Sequence, residues 1–554
     1  MPAPPLGLAI STNGARLYVT AAGPESRVCI VDVAKHKIVG RLAAGHTTMA
    51  PVLSADGGTL FVCNRFDNDV SVIDLARNRE VHRIAVQREP VAAARTREGR
   101  FLLVANHLHR GRADVDTLSA VVSVVDLPAG RVVQDITLPS GSGLLNDIRV
   151  SPDGKFAVVT HLVASFHRPT THVQSGWMNA NAQTIIDLER LTVLATVLLD
   201  EPDSGAANPW GQAWSADGRQ LVVAHAGTHE ISVIDFPSLS QRVTGRSATI
   251  VQGNAGDDAI LAELRRYEFI GELPYLVGAR QRIKLPATDR GPRAVLVIRH
   301  TAYVANYFSD TLSVIDLDAP QLEVESIPLG PKPDTNRARE GEAWFNDASL
   351  CLQGWQSCAS CHPGGARVDG LDWDLFNDGL GNPKNTKSLL LAHRTPPAMS
   401  AGVREGARAA VRAGIEHILF TKQPESVAVA IDAYLESLAP VPSPYLVRGR
   451  LSPAARRGEK VFRRAGCAVC HPADLFTDLQ PHDVGTRRPF DRPTELFDTP
   501  TLVEVWRTAP YLHDGSAATL REVFTFRNPR DTHGSTSRLS ATALDDLCVY
   551  VLSL

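Results

Sequence analysis

The sequence predicts a multidomain protein in which an all-β propeller of six or seven blades is followed by a mainly α-helical part made of two cytochrome c domains in tandem. Three observations support this fold class. Short β-rich segments recur through the first 330 residues, the hydrophobic periodicity then becomes helical, and two Cys-x-x-Cys-His motifs occur in duplicated surroundings. We therefore place the propeller at residues 1–330, the first haem domain at 331–440 and the second at 441–554.

The composition is that of a folded protein with several hydrophobic cores. The chain has 554 residues, of which 44% are hydrophobic, and a formal net charge of -3. This charge balance argues against nucleic acid or an anionic membrane surface as a partner. No apolar run is long enough to span a bilayer.

The first residues, Met1-Pro-Ala-Pro-Pro-Leu-Gly-Leu-Ala-Ile, do not form an export signal, because they lack a basic segment followed by an apolar run and a small-residue cleavage site. Covalent haem attachment in bacteria nevertheless takes place outside the cytoplasm. We therefore expect a periplasmic protein whose sequence is processed, trimmed or begins at a misassigned start.

Each propeller repeat consists of a turn, a short β-rich run, a polar turn and a second run ending in Val-Ile-Asp-Leu or a similar sequence. Thr59-Leu-Phe-Val-Cys-Asn, for example, leads to Val70-Ser-Val-Ile-Asp-Leu. Turns such as Ser54-Ala-Asp-Gly-Gly and Ser151-Pro-Asp-Gly connect the strands. A period of about forty residues predicts one four-stranded sheet per blade. Six copies are visible, which leaves a ring of six or seven blades open.

These repeats resemble the YVTN family of β-propellers, through segments such as Val304-Ala-Asn-Tyr-Phe-Ser-Asp-Thr-Leu-Ser-Val-Ile-Asp-Leu. Insertions at 107–117, 161–182 and 257–276 interrupt the repeat, the last with a helical pattern. Because long loops of a propeller commonly carry function, we expect these three to meet the helical part or a substrate.

Histidines of the propeller offer a candidate metal site. His161 and His225 hold the same place in consecutive repeats, just after the second strand. Convergent imidazoles bind copper or a similar metal; the alternative is that each bonds only backbone or water. Further histidines lie in nearby loops, namely His107, His109, His167, His172 and His229.

The motifs Cys358-Ala-Ser-Cys361-His362 and Cys467-Ala-Val-Cys470-His471 predict two covalently bound haem c groups. In each motif two thiols three residues apart reach the vinyl edges of one haem, and the adjacent histidine, His362 or His471, binds the iron. A zinc knuckle would need further Cys or His at ligand spacing. A thioredoxin-like redox pair would need a βαβ setting, which these helix-flanked motifs lack.

The other four cysteines have no haem motif. Cys29 and Cys63 lie in apolar strands, so we expect buried thiols there. Whether Cys351 and Cys548 pair in an oxidising compartment stays open, because sequence does not reveal proximity.

The helical part is internally duplicated. Gly341-Glu-Ala-Trp-Phe precedes the first motif as Gly458-Glu-Lys-Val-Phe precedes the second. Each half closes with an amphipathic helix, around Ile431-Asp-Ala-Tyr-Leu and Leu547-Cys-Val-Tyr-Val, and Pro440-Val-Pro-Ser-Pro joins the halves. This duplication predicts two cytochrome folds.

From about residue 338 the chain resembles the bacterial di-haem cytochrome c peroxidase and MauG family. The matching segments are Asp498-Thr-Pro-Thr-Leu and Thr508-Ala-Pro-Tyr-Leu-His-Asp-Gly. The segment Asn385-Thr-Lys-Ser-Leu in the first half shows a weaker similarity. The resemblance implies a distal ligand of the second haem at the position of His533, where bis-histidine ligation would lower the reduction potential. It also implies that His513 orients a propionate or a water molecule.

The resemblance further implies an acid or base on the distal side of the first haem. Glu416 and His417 are the candidates, with His417 preferred because an imidazole serves either as base or as sixth ligand; Met399 is a weaker candidate ligand. Calcium between the halves is implied as well, held by Asn385 and by the main-chain oxygens of Thr508 and Pro510.

One departure from the family concerns electron transfer between the haems. The family's aromatic segment, whose tryptophan lies between them, corresponds here to Ser400-Ala-Gly. Trp506 is a candidate substitute, against the alternative of a tryptophan that only packs in the core. Peroxidase activity is therefore not simply carried over.

We expect a periplasmic di-haem oxidoreductase that uses peroxide at the first haem. Electrons would pass through the second haem to or from a redox partner protein or small donor, with the substrate docked on the propeller. One alternative is a non-catalytic di-haem electron carrier that docks through its propeller. Another places a metal enzyme in the propeller, with the haems as its electron outlet. The sequence does not identify the substrate.

Overall fold

A computed structural model describes residues 4–166, 178–250, 273–331, 334–375 and 382–554. Its N-terminal part is a propeller of six antiparallel four-stranded sheets, each built from four consecutive strands. The predicted fold class, a propeller followed by a mainly helical part, is confirmed, with six blades. Among the described residues, no helix has both the length and the apolarity to cross a membrane.

The strands follow the predicted repeat. Those of the first three blades are β1 (Pro5–Ile10), β2 (Arg16–Ala21), β3 (Arg27–Asp32), β4 (Lys37–Ala43), β5 (Thr48–Leu53), β6 (Thr59–Asn64), β7 (Asp69–Asp74), β8 (Arg79–Ala85), β9 (Pro90–Arg95), β10 (Phe101–Asn106), β11 (Val121–Asp126) and β12 (Arg131–Thr137). Those of the other three are β13 (Ser142–Val150), β14 (Phe156–Ala164), β15 (Asn179–Asp187), β16 (Thr192–Leu198), β17 (Pro209–Trp214), β18 (Gln220–His225), β19 (Glu230–Asp235), β20 (Arg280–Lys284), β21 (Pro292–Ile298), β22 (Thr301–Asn306), β23 (Thr311–Asp316) and β24 (Val324–Pro328).

The expected insertions differ in how much of each the structure describes. The insertion expected at 161–182 is partly strand, because β14 and β15 are longer than their counterparts in the other blades; its residues 167–177 lie outside the described residues. Helix α1 (Phe236–Ile250) leaves the fifth blade between its third and fourth strands. Of the third insertion, only the short 3₁₀ helix Leu273–Leu276 is described.

The Ser-x-Asp-Gly turns form as their residue types require. The hydroxyl of Ser54 donates to Asp56 at 2.5 Å, and Gly57 follows with a φ of 72°. Equivalent bonds of 2.6 Å join Ser151 to Asp153 and Ser215 to Asp217. These turns reverse the chain between the first and second strands of a blade, since glycine adopts positive φ without steric cost.

Neighbouring blades stack through apolar clusters. Five such clusters fill the five junctions from the first and second blades to the fifth and sixth. Within the described ranges, no comparable packing joins the sixth blade to the first.

The helical part repeats one arrangement twice. Helix α2 (Arg337–Phe345) crosses α6 (Glu425–Glu436) in the first half, and α7 (Pro453–Arg464) crosses α10 (Ala541–Leu552) in the second. Each crossing is at a glycine: a Cβ on Gly341 would lie 1.8 Å from the main-chain oxygen of Ala430, and one on Gly458 would lie 1.9 Å from that of Asp546. The helices are α2 (Arg337–Phe345), α3 (Cys358–Cys361), α4 (Pro363–Ala366), α5 (Ala407–His417), α6 (Glu425–Glu436), α7 (Pro453–Arg464), α8 (Cys467–Cys470), α9 (Leu520–Phe524) and α10 (Ala541–Leu552).

Each half contains one short strand pair that contacts the other half. The pairs are β25 (Asp372–Trp373) with β26 (Lys384–Asn385) in the first half, and β27 (Pro481–His482) with β28 (Phe497–Asp498) in the second. The amide of Asn385 donates to His513 O at 2.7 Å, and the amide of Asp498 donates to Ser400 O at 2.9 Å. The duplicated sequence thus gives reciprocal main-chain contacts between the halves.

The cysteines outside the motifs are free thiols. Cys351 and Cys548 lie in different apolar clusters, one in each half, and do not form a disulfide. Cys29 and Cys63 are fully buried in the propeller, and burial raises the pKa of the Cys63 thiol to about 12.

Candidate haem sites

The two Cys-x-x-Cys-His motifs have the same local structure. In each, the two cysteines begin and end one helical turn, α3 or α8, and the next residue ends that turn. The backbone angles of that residue agree closely: φ is -117° for both His362 and His471, and ψ is 65° and 62°. All four cysteine residues are partly exposed, and none forms a disulfide.

Each proximal histidine is oriented by a hydrogen bond to the main chain five residues later. His362 Nδ1 donates to Arg367 O at 3.1 Å, and His471 Nδ1 donates to Phe476 O at 2.7 Å. Burial lowers the pKa of His362 to about 4 and also lowers that of His471. Each ring is therefore neutral at pH 7, with Nε2 left to bind a metal.

His533 lies opposite His471. Their ring centroids are 6.5 Å apart with an interplanar angle of 37°. Two metal–imidazole bonds of about 2 Å, together with the distance of just over 1 Å from each ring centre to its nitrogen, span about the same length. Burial lowers the pKa of His533 to about 4, and its Nδ1 is buried without a hydrogen-bond partner. The two imidazoles therefore fit a metal between them.

Asn528 holds the loop that carries His533. Its side-chain oxygen accepts from the His533 amide at 2.8 Å. Its side-chain nitrogen donates to Gly534 O at 2.7 Å and to Thr536 Oγ1 at 2.9 Å. The segment is thereby fixed beside the second motif, where a Cβ on Gly534 would lie 3.4 Å from the sulfur of Cys467.

The first motif lies against the propeller. Cys361 borders an apolar cluster that contains Phe166 and Met178 of the propeller together with Trp373 of the first half. Asn179 Nδ2 donates to the sulfur of Cys361 at 3.5 Å. The propeller therefore forms one wall of this site, through residues of the insertion at 161–182 that we expected to meet the helical part or a substrate.

A second propeller asparagine clamps the turn that carries the first motif. Asn208 Nδ2 donates to Ser357 Oγ at 2.8 Å, and Asn208 Oδ1 accepts from Ser360 Oγ at 2.8 Å. All three side chains are buried. The position of the first motif thus depends on the propeller as well as on its own half.

The predicted distal residues of the first haem lie at the end of α5. Glu416 and His417 are both exposed, whereas Ile415 is the buried residue of this turn. Ile418, directly after the helix, packs beside the cluster that borders Cys361. The catalytic role of Glu416 and His417 stays a prediction.

His513 is buried between the halves. Its Nε2 shares a hydrogen bond of 3.0 Å with Asp491, and its ring stacks on Phe497 with centroids 3.7 Å apart. Burial alone would raise the pKa of Asp491, but hydrogen bonds from His513, the Arg488 amide and other donors hold it well below its usual range. This network suits the orienting role that we predict for His513.

The residues next to two predicted calcium ligands bind a protein cation. Next to Thr508 and Pro510, the main-chain oxygens of Arg507 and Ala509 accept from the guanidinium of Arg88, a propeller residue, at 2.8 and 2.7 Å. The third predicted ligand, Asn385, donates through Nδ2 to Asp372 Oδ1 at 3.0 Å. The calcium site itself stays a prediction.

A buried charge network connects the propeller to the proximal loop of the first site. Arg65 donates to Glu89 at 2.8 and 2.6 Å within the propeller. Arg507 donates to Gly364 O, two residues after His362, at 3.2 Å. Burial alone would raise the pKa of Glu89, but Arg65, Arg507 and Arg88 lower it to about 2. The carboxylate is thus charged across the physiological range.

Trp506 packs at the propeller interface. Its ring centroid is 5.0 Å from that of Phe66 and 6.1 Å from that of His46, both in the propeller. His46 Nε2 in turn bonds to Pro442 O at 2.8 Å. Trp506 therefore packs at the interface between the helical part and the propeller.

The described propeller histidines bond to separate partners. His161 contacts Leu162 O at 3.0 Å and Thr184 Oγ1 at 2.7 Å, and His225 contacts Ser232 Oγ at 2.7 Å. The other described candidates contact Leu145 O (His107), Gly370 O (His109) and the Gly291 amide (His229). His167 and His172 lie outside the described residues.

One group of side chains in the described residues has metal-ligand spacing, formed by Cys470, Asp478 and His482. It contains a haem-motif cysteine and no propeller residue. The described propeller histidines therefore give no support to a metal enzyme in the propeller.

Each of the two cytochrome-like halves carries one Cys-x-x-Cys-His turn. Together with the propeller, these halves identify a multidomain c-type haem protein. Comparison with known proteins agrees, although no family model matches the chain. The chain is 32% identical over 271 residues to hydrazine synthase subunit gamma of Kuenenia stuttgartiensis, which covers 39% of this chain and 77% of that protein. It is 26% identical over 259 residues to the methylamine utilization protein MauG of Methylorubrum extorquens, covering 35% of this chain and 68% of that one.

Hydrazine synthase subunit beta of Kuenenia stuttgartiensis is 26% identical over 208 residues, which cover 37% of this chain and 49% of that protein. The chain thus spans about half of subunit beta. The chain belongs to the family of hydrazine synthase subunit gamma and MauG, the di-haem cytochrome c peroxidase family. It is accordingly a haem c oxidoreductase, and the predicted resemblance is confirmed.

Proposed function

We propose that this protein is a periplasmic oxidoreductase with two haems, in which peroxide is reduced at the first motif and electrons pass through the second. The observation that supports this division is the difference between the two sites. His471 has His533 opposite it at 6.5 Å. Within the described ranges, no imidazole faces His362 in this way. The second site thus suits a six-coordinate electron-transfer centre, and the first an open one.

The residues of the first site set the conditions for the reaction. When bound there, a haem with an open axial position supplies the iron that binds peroxide. Phe166, Met178 and Trp373 exclude water from the side of Cys361, which strengthens electrostatic interactions within the site. His362 holds its proton on Nδ1 toward Arg367 O and presents Nε2. Following the family resemblance, we assign proton transfer from peroxide to His417 or Glu416.

In this proposal the physiological substrate is docked on the propeller. The relatives are named hydrazine synthase and methylamine utilization protein, and we extend no specific substrate from these names to this chain. The electron partner would be a redox protein or a small donor.

A second candidate function is electron transfer without catalysis, and Met178 favours it. This buried methionine of the propeller lies in the cluster that borders Cys361. A thioether as sixth ligand of the first haem would close the position that peroxide needs.

Titration with cyanide and rapid mixing with hydrogen peroxide distinguish the two functions. The proposal predicts that one of the two haems changes its absorption spectrum, and that His417→Ala slows the reaction with peroxide while haem content stays the same. If neither haem responds, the electron carrier is correct. An unchanged rate in the variant removes His417 from the mechanism.

A further inference from the structure

Arg507 is a buried cation at the junction of the propeller and the two halves. Its guanidinium lies over the ring of Phe66, a propeller residue, 4.5 Å from the ring centroid. Its Nη1 is 3.7 Å from Glu504 Oε2, which is too far for a hydrogen bond. Its Nε is buried without a hydrogen-bond partner among the described residues. Glu504 therefore neutralises the charge of Arg507 only in part.

The carboxylates around Arg507 are paired with other arginines. Glu504 accepts from Arg367 at 2.8 and 2.9 Å, and Glu89 accepts from Arg65 at 2.8 and 2.6 Å. Burial, together with the charges of Arg65 and Arg367, lowers the pKa of Arg507 to about 10. The guanidinium is thus still charged at pH 7, in addition to the two paired arginines.

The charge of Arg507 lies beside the loop that holds the proximal histidine of the first site. Arg507 donates to Gly364 O at 3.2 Å, and its Nη2 is 2.9 Å from the position that a Cβ on Gly364 would take. Gly364 is two residues after His362, so their α-carbons are at most about 7 Å apart. The same loop ends at Arg367, whose main-chain oxygen accepts from His362 Nδ1. Arg507 is therefore close to the ligand that binds the iron of the first haem.

The propeller holds Arg507 in this place. Arg88 donates to Arg507 O at 2.8 Å and to Ala509 O at 2.7 Å, while Phe66 covers the guanidinium. Burial lowers the pKa of Arg88, as it does that of Arg507. A buried propeller arginine thus fixes the main chain of Arg507 and adds a second positive charge at the junction.

We propose that Arg507, held by Arg88, raises the reduction potential of the haem at the first motif. When bound there, the haem supplies the redox-active iron, and its reduction adds one electron. A buried positive charge nearby favours that electron more than an exposed charge does, because the protein interior screens the attraction less than water. The effect requires haem at the first motif but no reaction with peroxide, so it stands or fails separately from the proposed function.

The duplicated first half provides a matched control. The 3₁₀ helices Ala392–Arg394 and Val505–Arg507 follow residues of similar left-handed conformation, with φ of 62° and 61°. Each helix ends in an arginine, but Arg394 is exposed whereas Arg507 is buried. Because water and salt screen an exposed charge, Arg394 should have little influence on either haem.

Redox titration of the haem-loaded, full-length protein tests the proposal. Dithionite and ferricyanide serve as reductant and oxidant, and absorption spectra follow both haems. Arg507→Met should shift the potential of the first haem to a lower value and leave that of the second unchanged. Arg507→Lys, which keeps the charge, should retain most of the wild-type potential. Arg394→Met should change neither.

Arg88→Gln provides a second, independent variant. It removes the propeller cation that holds Arg507, so the potential of the first haem should again fall. Repeating the titrations in the chain that also carries Cys467→Ala and Cys470→Ala identifies the first haem, since only its thioether bonds can then form. Haem content and melting temperature report whether each variant is folded.

Three results would overturn the proposal. The first is an unchanged potential of the first haem in both Arg507→Met and Arg88→Gln. The second is an equal shift in Arg507→Met and Arg507→Lys, which would assign the effect to packing and not to charge. The third is a shift that occurs in the second haem, or one that Arg394→Met reproduces.

Discussion

The carboxylate of Glu504 accepts two hydrogen bonds, of 2.8 and 2.9 Å, from the guanidinium of Arg367. The main-chain oxygen of the same arginine accepts from His362. The side chains of Arg367 and Glu504 are only 5% and 1% exposed. A residue of the second half thereby fixes the proximal loop of the first site.

Replacing Glu504 with Gln should lower the free energy of unfolding by about 3–5 kcal/mol, because the change leaves Arg367 buried without a compensating charge. Chemical denaturation followed by tryptophan fluorescence measures this loss. Glu459 is the control, since its pair with Arg463 is on the surface of α7 and should contribute less than about 1 kcal/mol. Equal, small losses for Glu504→Gln and Glu459→Gln would contradict the buried network.

The stability contribution of Glu89 should depend on pH. Its pKa is lower in the folded protein, about 2, than its ordinary value of 4.5, since the neighbouring arginines outweigh the effect of burial. The carboxylate therefore stabilises the fold fully above pH 4.5, and this contribution, about 3 kcal/mol, is lost as pH falls toward 2. Unfolding measured at several pH values should show the difference between wild type and Glu89→Gln shrinking over that range. A constant difference would contradict the assignment.

The two helix crossings should not tolerate a side chain at the contact. Gly458→Ala places a Cβ 1.9 Å from the main-chain oxygen of Asp546, so we expect a loss of about 1–3 kcal/mol or more. Gly414 in α5 has no atom within 4 Å of its Cβ position, and Gly414→Ala should instead raise stability by roughly 0.5–1 kcal/mol. Thermal unfolding of the two variants checks the opposite signs; a neutral Gly458→Ala would rule out the tight crossing.

Loss of the His533 imidazole should convert the second haem from low spin to high spin, because it removes the ligand opposite His471. Absorption and electron paramagnetic resonance spectra report this change. His482→Ala is the matched control: this histidine also lies beside the second motif, but it pairs with Asp478 and is 38% exposed. Identical spectra for wild type and His533→Ala would exclude His533 as a ligand.

Local sequence patterns predicted most of the fold. The Ser-x-Asp-Gly turns and the alternating strands each depend on residues close in the chain, as do the Cys-x-x-Cys-His turns. The duplicated segments that begin at Gly341 and Gly458 were recognised for the same reason, although the helix crossings at these glycines were not predicted. Whether the ring closes depends on contact between the first and last blades, which counting repeats does not reveal; the blade number was therefore left open.

The insertion at 161–182 was expected to meet the helical part or a substrate, and residues of this insertion border the first site. Other contacts of the propeller with the helical part were missed. Asn208 reaches Ser357, 149 positions later, and Arg88 reaches Ala509, 421 positions later. Nothing in the local sequence of either residue distinguishes it from other polar loop residues. The predictions for Glu416 and His417 came from resemblance alone, and both lie on the exposed side of α5. His533 was predicted from its place before a glycine in the family pattern, and the structure places it opposite His471.

The amount of covalently bound haem per chain tests the central claim most directly. After expression in a host that matures c-type cytochromes, the pyridine haemochrome spectrum should give two haems per wild-type chain. Removing one pair of thiols, with Cys358→Ala and Cys361→Ala or with Cys467→Ala and Cys470→Ala, should leave one. A colourless wild-type protein, or a haem content that does not change when a thiol pair is removed, would contradict the account.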